Sequence, residues 1–238
     1  MDLKIKFELN KELDKQMASV FLSRNKKVGG VDFSLGVIKP HPELEKIKLE
    51  VKENMHILND CFDKYYLEHE KELQYALKTA KEDWGVIETI FIEQLNILFK
   101  NPAVPEGKYI AYLSTINCNP RFLDTKTFQV YWKHRDGTNM VVAHEVLHFF
   151  FYSYAIKKHP DVFGSLDTNT GLFWVLAEVF NDVVLSLSEL NVVHGKDSFY
   201  SYPAHKEYSK YLKKVWAMNL DIDNWLHEGY DYLSSRLK

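Results

Sequence analysis

The segment His144-Glu145-Val146-Leu147-His148 carries the residue types and the spacing that point most clearly to chemistry. Side chains four residues apart leave a helix from the same face, so the two imidazoles can share one tetrahedral cation. Glu145 is offset by one residue and therefore flanks such an ion, where it can take a proton from an activated water. The motif predicts a bound metal ion with an acid–base residue beside it.

The residues around this motif are apolar on nearly every side, which indicates a buried helix instead of an amphipathic surface helix. Burying two imidazoles and a carboxylate in such surroundings is costly unless a metal ion or a hydrogen-bond network satisfies them. This favours metal binding over two ordinary surface histidines. The apolar neighbours are Met140, Val141, Val142, Ala143, Val146, Leu147, Phe149, Phe150 and Phe151.

A catalytic zinc ion needs a third protein ligand and keeps one position for water. A metzincin would supply a third histidine six residues after the second, with a glycine between them; Phe151 and Tyr154 occupy those positions and exclude that class. A second apolar helix, predicted from Gly171 to about Leu190, offers Glu178 where a core residue is expected. Asp182 lies one turn later on the same face, so this helix predicts both a ligand and a neighbouring carboxylate.

An HExxH helix followed by a helix with a glutamate, and an aspartate four residues later, resembles the gluzincins, the thermolysin-like zinc metallopeptidases. The resemblance implies that His144, His148 and Glu178 bind Zn²⁺ and that Glu145 is the general base. It also implies that Asp182 orients His144 through the imidazole nitrogen that does not face the ion.

The resemblance covers about residues 106–190 and identifies no subfamily. Glu178 follows His148 by 30 residues, a longer interval than in familiar members, and Ala177 stands where an asparagine is common. In this family a strand before the metal helix pairs with an extended peptide, and Thr127–Trp132 is suitably placed to do so here; the alternative is an ordinary core strand.

A donor for the developing oxyanion is expected after the third ligand, where the family commonly uses a tyrosine or a histidine. The segment after Glu178 offers His194, Tyr200, Tyr202 and His205. Tyr202 and His205 are the predicted catalytic candidates.

Three functions of different classes remain open from these residues. The first is a zinc metallopeptidase that hydrolyses peptides or proteins, with endopeptidase and exopeptidase activity both possible. The second is a regulatory metalloprotease that cuts a single partner protein, and the third is a non-catalytic metal-binding scaffold derived from a peptidase. An intact Glu145 argues against the third, because a scaffold does not need the base.

The composition agrees with an ordinary globular protein of 238 residues, 46% hydrophobic and 26% charged. A net charge of −3 supplies no global field that would attract nucleic acid or an anionic membrane. Cys61 and Cys118 lie far apart and form no thiolate metal pattern. Together with the absence of a long apolar run, this predicts a cytoplasmic protein, of undetermined oligomeric state.

The pattern of elements predicts a mostly helical α+β fold with a zincin-like core. In that core a small, mainly antiparallel sheet packs on the HExxH helix beside a second buried ligand helix. Residues 1–105 are expected to form an N-terminal strand and a helical subdomain in which no chemistry is evident, and residues 106–238 the catalytic core; the alternative is that both parts fold as one domain. Trp216 and Trp225 are expected to anchor two further helices in the tail.

Overall fold

A computed structural model of the chain describes residues 3–195, 202–218 and 221–237. Helices predominate over a single four-stranded sheet in these residues, which confirms the mostly helical α+β class. None of the described helices is both long enough and apolar enough to cross a membrane. The chain divides into two compact units, a sheet unit of residues 4–86 and 107–142 and a helical unit of residues 1–3, 87–106 and 143–238.

The sheet unit contains strands β1 (Lys6–Leu9), β2 (Ile110–Ser114), β3 (Arg121–Phe122) and β4 (Thr127–Tyr131) in the order β1-β2-β4-β3. The pairs β1/β2 and β2/β4 are parallel, and only the short pair β3/β4 is antiparallel. The expectation of a mainly antiparallel sheet was therefore wrong. Residues 115–126 do not form a tight hairpin between β2 and β4, because they carry the chain back to the end of the sheet at which β2 began.

Strand β4 lies inside the sheet, with β2 along one edge. Its other edge is taken by β3 and by the chain just before it: the Gln129 amide donates to the Pro120 carbonyl at 2.9 Å, and the Tyr131 amide donates to the Asn119 side chain at 2.8 Å. A peptide therefore cannot add to β4 along Thr127–Tyr131 without displacing these residues. The expectation that this strand receives the substrate is wrong for that reason.

The apolar core of the sheet unit is built from short helices and from the chain after β2. Its buried members include Phe21, Leu44, Leu58, Phe62 and Ile116. Gly36 is required here because a Cβ at that position would collide with the main-chain carbonyl of Asn117. The helices are α1 (Lys11–Leu22), α2 (Ser34–Ile38), a 3₁₀ helix (Pro42–Ile47) and α3 (Met55–Glu68), and α4 (Glu70–Leu98) begins in the same unit.

The expected boundary between residues 105 and 106 does not separate the two units. Strand β1, near the N-terminus, pairs along its whole length with β2, which lies after that boundary. Among the described strands β1 pairs with β2 alone, so the sheet needs both expected halves of the chain.

The helical unit has a core of aromatic side chains around α7, which is buried at every position from Phe173 to Val184. Phe180 lies 4.7 Å from the ring of Phe151 and 5.3 Å from that of Trp225. Trp216 and Trp225 are both buried, as predicted. The helices are α5 (Thr138–Lys158, whose first residues belong to the sheet unit), α6 (Pro160–Phe163), α7 (Gly171–Val184), α8 (Ser188–His194), a 3₁₀ helix (Pro203–His205), α9 (Lys206–Met218) and α10 (Ile222–Ser234).

Candidate metal centre

Helices α5 and α7 bring the three predicted ligands together inside the helical unit. The Nε2 atoms of His144 and His148 lie 3.1 Å apart. Glu178 places one carboxylate oxygen 3.3 Å from Nε2 of His144 and the other 3.4 Å from Nε2 of His148. Two imidazole nitrogens and the two oxygens of one carboxylate, from two helices, therefore surround one point.

These separations fit a tetrahedral ion of the zinc type. With metal–ligand bonds of 2.0–2.1 Å, two ligand atoms of a tetrahedron lie about 3.3 Å apart. The observed distances are 3.1, 3.3 and 3.4 Å. The side chains of His148 and Glu178 are 0% and 3% exposed, whereas that of His144 is 24% exposed, so the open side of the cluster lies at His144.

The electrostatics of the cluster favour a positive charge. Burial by itself would lower the pKa of His144, but Glu178, Glu145 and Asp182 outweigh it and raise the pKa. The same carboxylates that hold a proton on His144 would stabilise a divalent cation, which must displace that proton before it can bind Nε2. The donor set and its charge thus both suit a metal ion.

Glu145 is buried beside the cluster and does not belong to the group of potential ligand atoms. Its charge contributes to the raised pKa of His144, which places it within electrostatic reach. This is the arrangement expected of a residue that exchanges protons next to the ion without binding it.

Asn181 connects the two ligand helices in a way that the sequence analysis missed. Its side-chain amide donates a 2.8 Å hydrogen bond to the main-chain carbonyl of His144. Asn181 is fully buried between apolar residues of α7. A polar residue that interrupts so apolar a helix indicates that it needs a partner, but the sequence does not show that the partner is the carbonyl of His144.

Asp182 is buried near the cluster, and the hydroxyl of Ser209 in α9 donates a 2.7 Å hydrogen bond to it. Burial raises the pKa of Asp182 to about 6, although Ser209 and His144 both act to lower it. The charge of His144 thus influences the pKa of Asp182. The role of Asp182 in orienting the imidazole of His144 stays a prediction.

Tyr202 and His205 both pack on Trp174, with ring centroids 5.3 and 5.2 Å away. Trp174 lies one helical turn before Glu178 on α7, so its side chain shares a face with the ligand. His205 is buried, and burial lowers its pKa even though the charge of Glu178 acts in the opposite direction. Its Nδ1 atom has no hydrogen-bond partner within the described residues. His205 is therefore close to the cluster and has a polar atom to offer.

The remaining candidates have other partners or lie outside the described chain. Nε2 of His194 is 2.8 Å from the carbonyl of Leu185, so this imidazole contacts the main chain where α7 ends. Tyr200 lies outside the described residues. Tyr154, which stands where a metzincin would have its third histidine, donates its hydroxyl proton to Asp223.

Comparison with protein-family models, with curated proteins and with solved structures gave no match. The case for a function therefore depends on the residues and geometry of this chain.

Proposed function

We propose that the protein is a zinc-dependent hydrolase that cleaves peptide bonds, with His144, His148 and Glu178 as the metal ligands and with a zincin-like core. The observation that carries this proposal is the spacing of 3.1 to 3.4 Å among one carboxylate and two Nε2 atoms on two helices. A structural ion pair would need only one imidazole and one carboxylate. Two imidazoles turned toward the same carboxylate are better explained by an ion between them.

A divalent ion at this position would polarise the scissile carbonyl group and lower the pKa of a coordinated water toward 7. Glu145 takes up the proton of the attacking water and delivers it to the leaving amine. Its burial excludes bulk water from the carboxylate, so the proton stays within the site.

His205 supplies an N–H group for the carbonyl oxygen as negative charge develops on it. Its unpartnered Nδ1 and its packing on Trp174 support this role. Trp174 fixes the plane of the imidazole, so the donor is oriented before substrate arrives.

The substrate is a peptide or an unfolded segment of protein that approaches at the partly exposed side chain of His144. Because both edges of β4 are occupied, we do not expect the main chain of the substrate to pair with that strand.

The experiment that tests this function is the substitution Glu145→Gln. We expect the variant to bind the same amount of zinc as the wild type and to lose hydrolysis by about 10²- to 10⁴-fold, the usual contribution of a general base. Metal content is measured by elemental analysis for zinc, iron and manganese, and hydrolysis with a mixture of fluorogenic peptides and with an unfolded protein. The exposed Glu228, in the same unit, gives the matched control Glu228→Gln.

Unchanged hydrolysis in Glu145→Gln, or a site that holds iron in place of zinc, would contradict the proposal. Zinc binding without hydrolysis by the wild type would point to a scaffold, or to a protease with one partner protein. Accumulation of an intact partner in cells that carry Glu145→Gln would then identify the single-substrate protease.

A further inference from the structure

A second group of ligand side chains lies in the sheet unit. His41, Glu43 and Cys61 each place one potential ligand atom within 4.8 Å of the others. The thiol of Cys61 donates to a carboxylate oxygen of Glu43 at 3.1 Å, and its sulfur lies 3.8 Å from Nδ1 of His41. His41 and Cys61 are buried, whereas Glu43 is exposed. The group is thus a buried imidazole and thiol with a carboxylate on the solvent side.

Hydrogen bonds fix which nitrogen of His41 carries the proton. Nε2 of His41 lies 3.3 Å from the hydroxyl oxygen of Thr115, and that hydroxyl donates to Asp14 at 2.8 Å. A threonine hydroxyl has a single proton, so toward His41 it can only accept. Nε2 therefore carries the ring proton, and Nδ1 presents a lone pair on the side of Cys61. Metal-binding histidines are held by a hydrogen bond of this kind.

Asp14 keeps Thr115 in this orientation. It is buried and accepts five hydrogen bonds of 2.6 to 2.8 Å, including two from Thr115. Asp14 is the acceptor in all five hydrogen bonds. The hydroxyl proton of Thr115 therefore points to Asp14 and not to His41. The others come from Tyr66, Ser114 and Gln129.

The ring of His41 is also held by packing. Its centroid lies 4.6 Å from the ring of Phe62 and 4.6 Å from that of Tyr65. The hydrogen bond to Thr115 and this packing therefore orient the lone pair of Nδ1 before a metal ion binds.

We propose that His41, Cys61 and Glu43 form a second metal site, which takes a divalent transition-metal ion of the zinc type. Sulfur and imidazole ligands favour such ions over Mg²⁺ or Ca²⁺. In a tetrahedral zinc site the sulfur would lie about 3.6 Å from a nitrogen or oxygen ligand, and the present distances of 3.8 and 3.1 Å lie on either side of that value.

Binding forms a sulfur–metal bond in place of the S–H bond of Cys61, and the proton is released to solvent. The ion would join the segment around the 3₁₀ helix Pro42–Ile47 to α3. Its ligands come from residues 41, 43 and 61, which share no short motif, and that is why the sequence pattern did not reveal them.

Cobalt(II) titration of the full chain tests this site with a signal of its own. Thiolate coordination to cobalt gives a charge-transfer absorption in the near ultraviolet, and the cluster of His144, His148 and Glu178 contains no sulfur. We expect the band to appear in the wild type and in Glu178→Ala, and to disappear on addition of zinc but not of magnesium. Its persistence in Glu178→Ala separates this site from the proposed catalytic one.

The band should be lost in Cys61→Ser and retained in Cys118→Ser, a control that removes the other buried thiol. Glu43→Gln changes an exposed side chain, and there we expect the cobalt affinity to fall at least about tenfold while the circular dichroism spectrum is preserved. Absence of the band in the wild type, or its survival in Cys61→Ser, would overturn the proposal. Equal affinity in Glu43→Gln and the wild type would overturn the three-ligand site.

Discussion

The side-chain amide of Asn181 donates a 2.8 Å hydrogen bond to the main-chain carbonyl of His144. Asn181 lies three residues after Glu178 on α7, so this bond sets the distance between the helix of the carboxylate and the helix of the imidazoles. The helices could otherwise slide along their apolar contacts, which are not directional. We therefore infer that Asn181 is a positioning residue for the proposed metal centre.

Asn181→Ala should therefore weaken zinc binding without removing a ligand. We expect a loss of about 10- to 100-fold in zinc affinity, as for other residues that support metal ligands. The free energy of unfolding of the metal-free protein should fall by about 1 to 3 kcal/mol, because the buried amide leaves a cavity and a lost hydrogen bond. Competition with a chromophoric chelator measures the affinity, and Asn191→Ala, at an exposed position of α8, is the control. An affinity equal to that of the wild type would contradict this positioning role.

His205 and Tyr202 can be distinguished by substitutions that preserve their rings. His205→Phe removes the imidazole N–H but keeps an aromatic ring against Trp174. We expect kcat to fall about 10²- to 10³-fold, the usual effect of losing one oxyanion donor, with zinc content unchanged. Tyr202→Phe, the matched control, should change kcat little. If Tyr202→Phe has the large effect and His205→Phe does not, the assignment of the donor is reversed.

The buried carboxylate of Asp14 is expected to be the most sensitive polar position of the sheet unit. Asp14→Asn replaces one acceptor oxygen with a donor amide, so at least one of the five donors around it loses its partner. We expect the free energy of unfolding to fall by about 3 kcal/mol or more, measured by urea denaturation in chelator. Asp60→Asn, at an exposed position of α3, should change it by less than about 0.5 kcal/mol. Similar stabilities for the two variants would contradict the importance of this network.

The positions of the metal-centre residues follow from local sequence. The apolar surroundings of His144 and Glu178 predict two buried helices, and the spacing of four residues predicts that His144 and His148 share a face. These regularities need no knowledge of the rest of the chain, and the structure contains both helices and brings the three side chains together. The second helix ends at Val184, before the expected end near Leu190, and a separate helix begins at Ser188.

Other features depend on contacts between distant segments and could not be predicted in this way. Alternating strands look the same whether their partners are parallel or antiparallel, so the direction of β2 and β4 was not evident. The partners of Asn181 and Asp182 lie 37 and 27 residues away along the chain. The second ligand group likewise depends on how the segment around Pro42–Ile47 packs against α3, so no chemistry was evident in that part of the sequence.

A final prediction concerns the pH dependence of stability in the helical unit. Burial alone would raise the pKa of Asp223, but hydrogen bonds from Lys100, His159 and Tyr154 outweigh it and lower the pKa to about 2. A carboxyl group whose pKa is lower in the folded chain than in the unfolded chain stabilises the fold. That stabilisation is fully present when the pH is above the pKa of the unfolded chain, here 3.8. That contribution is lost as the pH falls from this value through about 2.

Asp223→Asn should therefore lower the free energy of unfolding by about 1 to 2 kcal/mol at pH values above about 4, and the difference from the wild type should shrink as the pH approaches about 2. Urea denaturation of both proteins in chelator, over this range of pH, measures that difference. Asp231→Asn, at an exposed position on α10, should follow the wild type throughout. A difference that stays constant between pH 4 and pH 2 would mean that Asp223 stabilises the unit by packing and not through its charge, because only the charged form is lost by protonation.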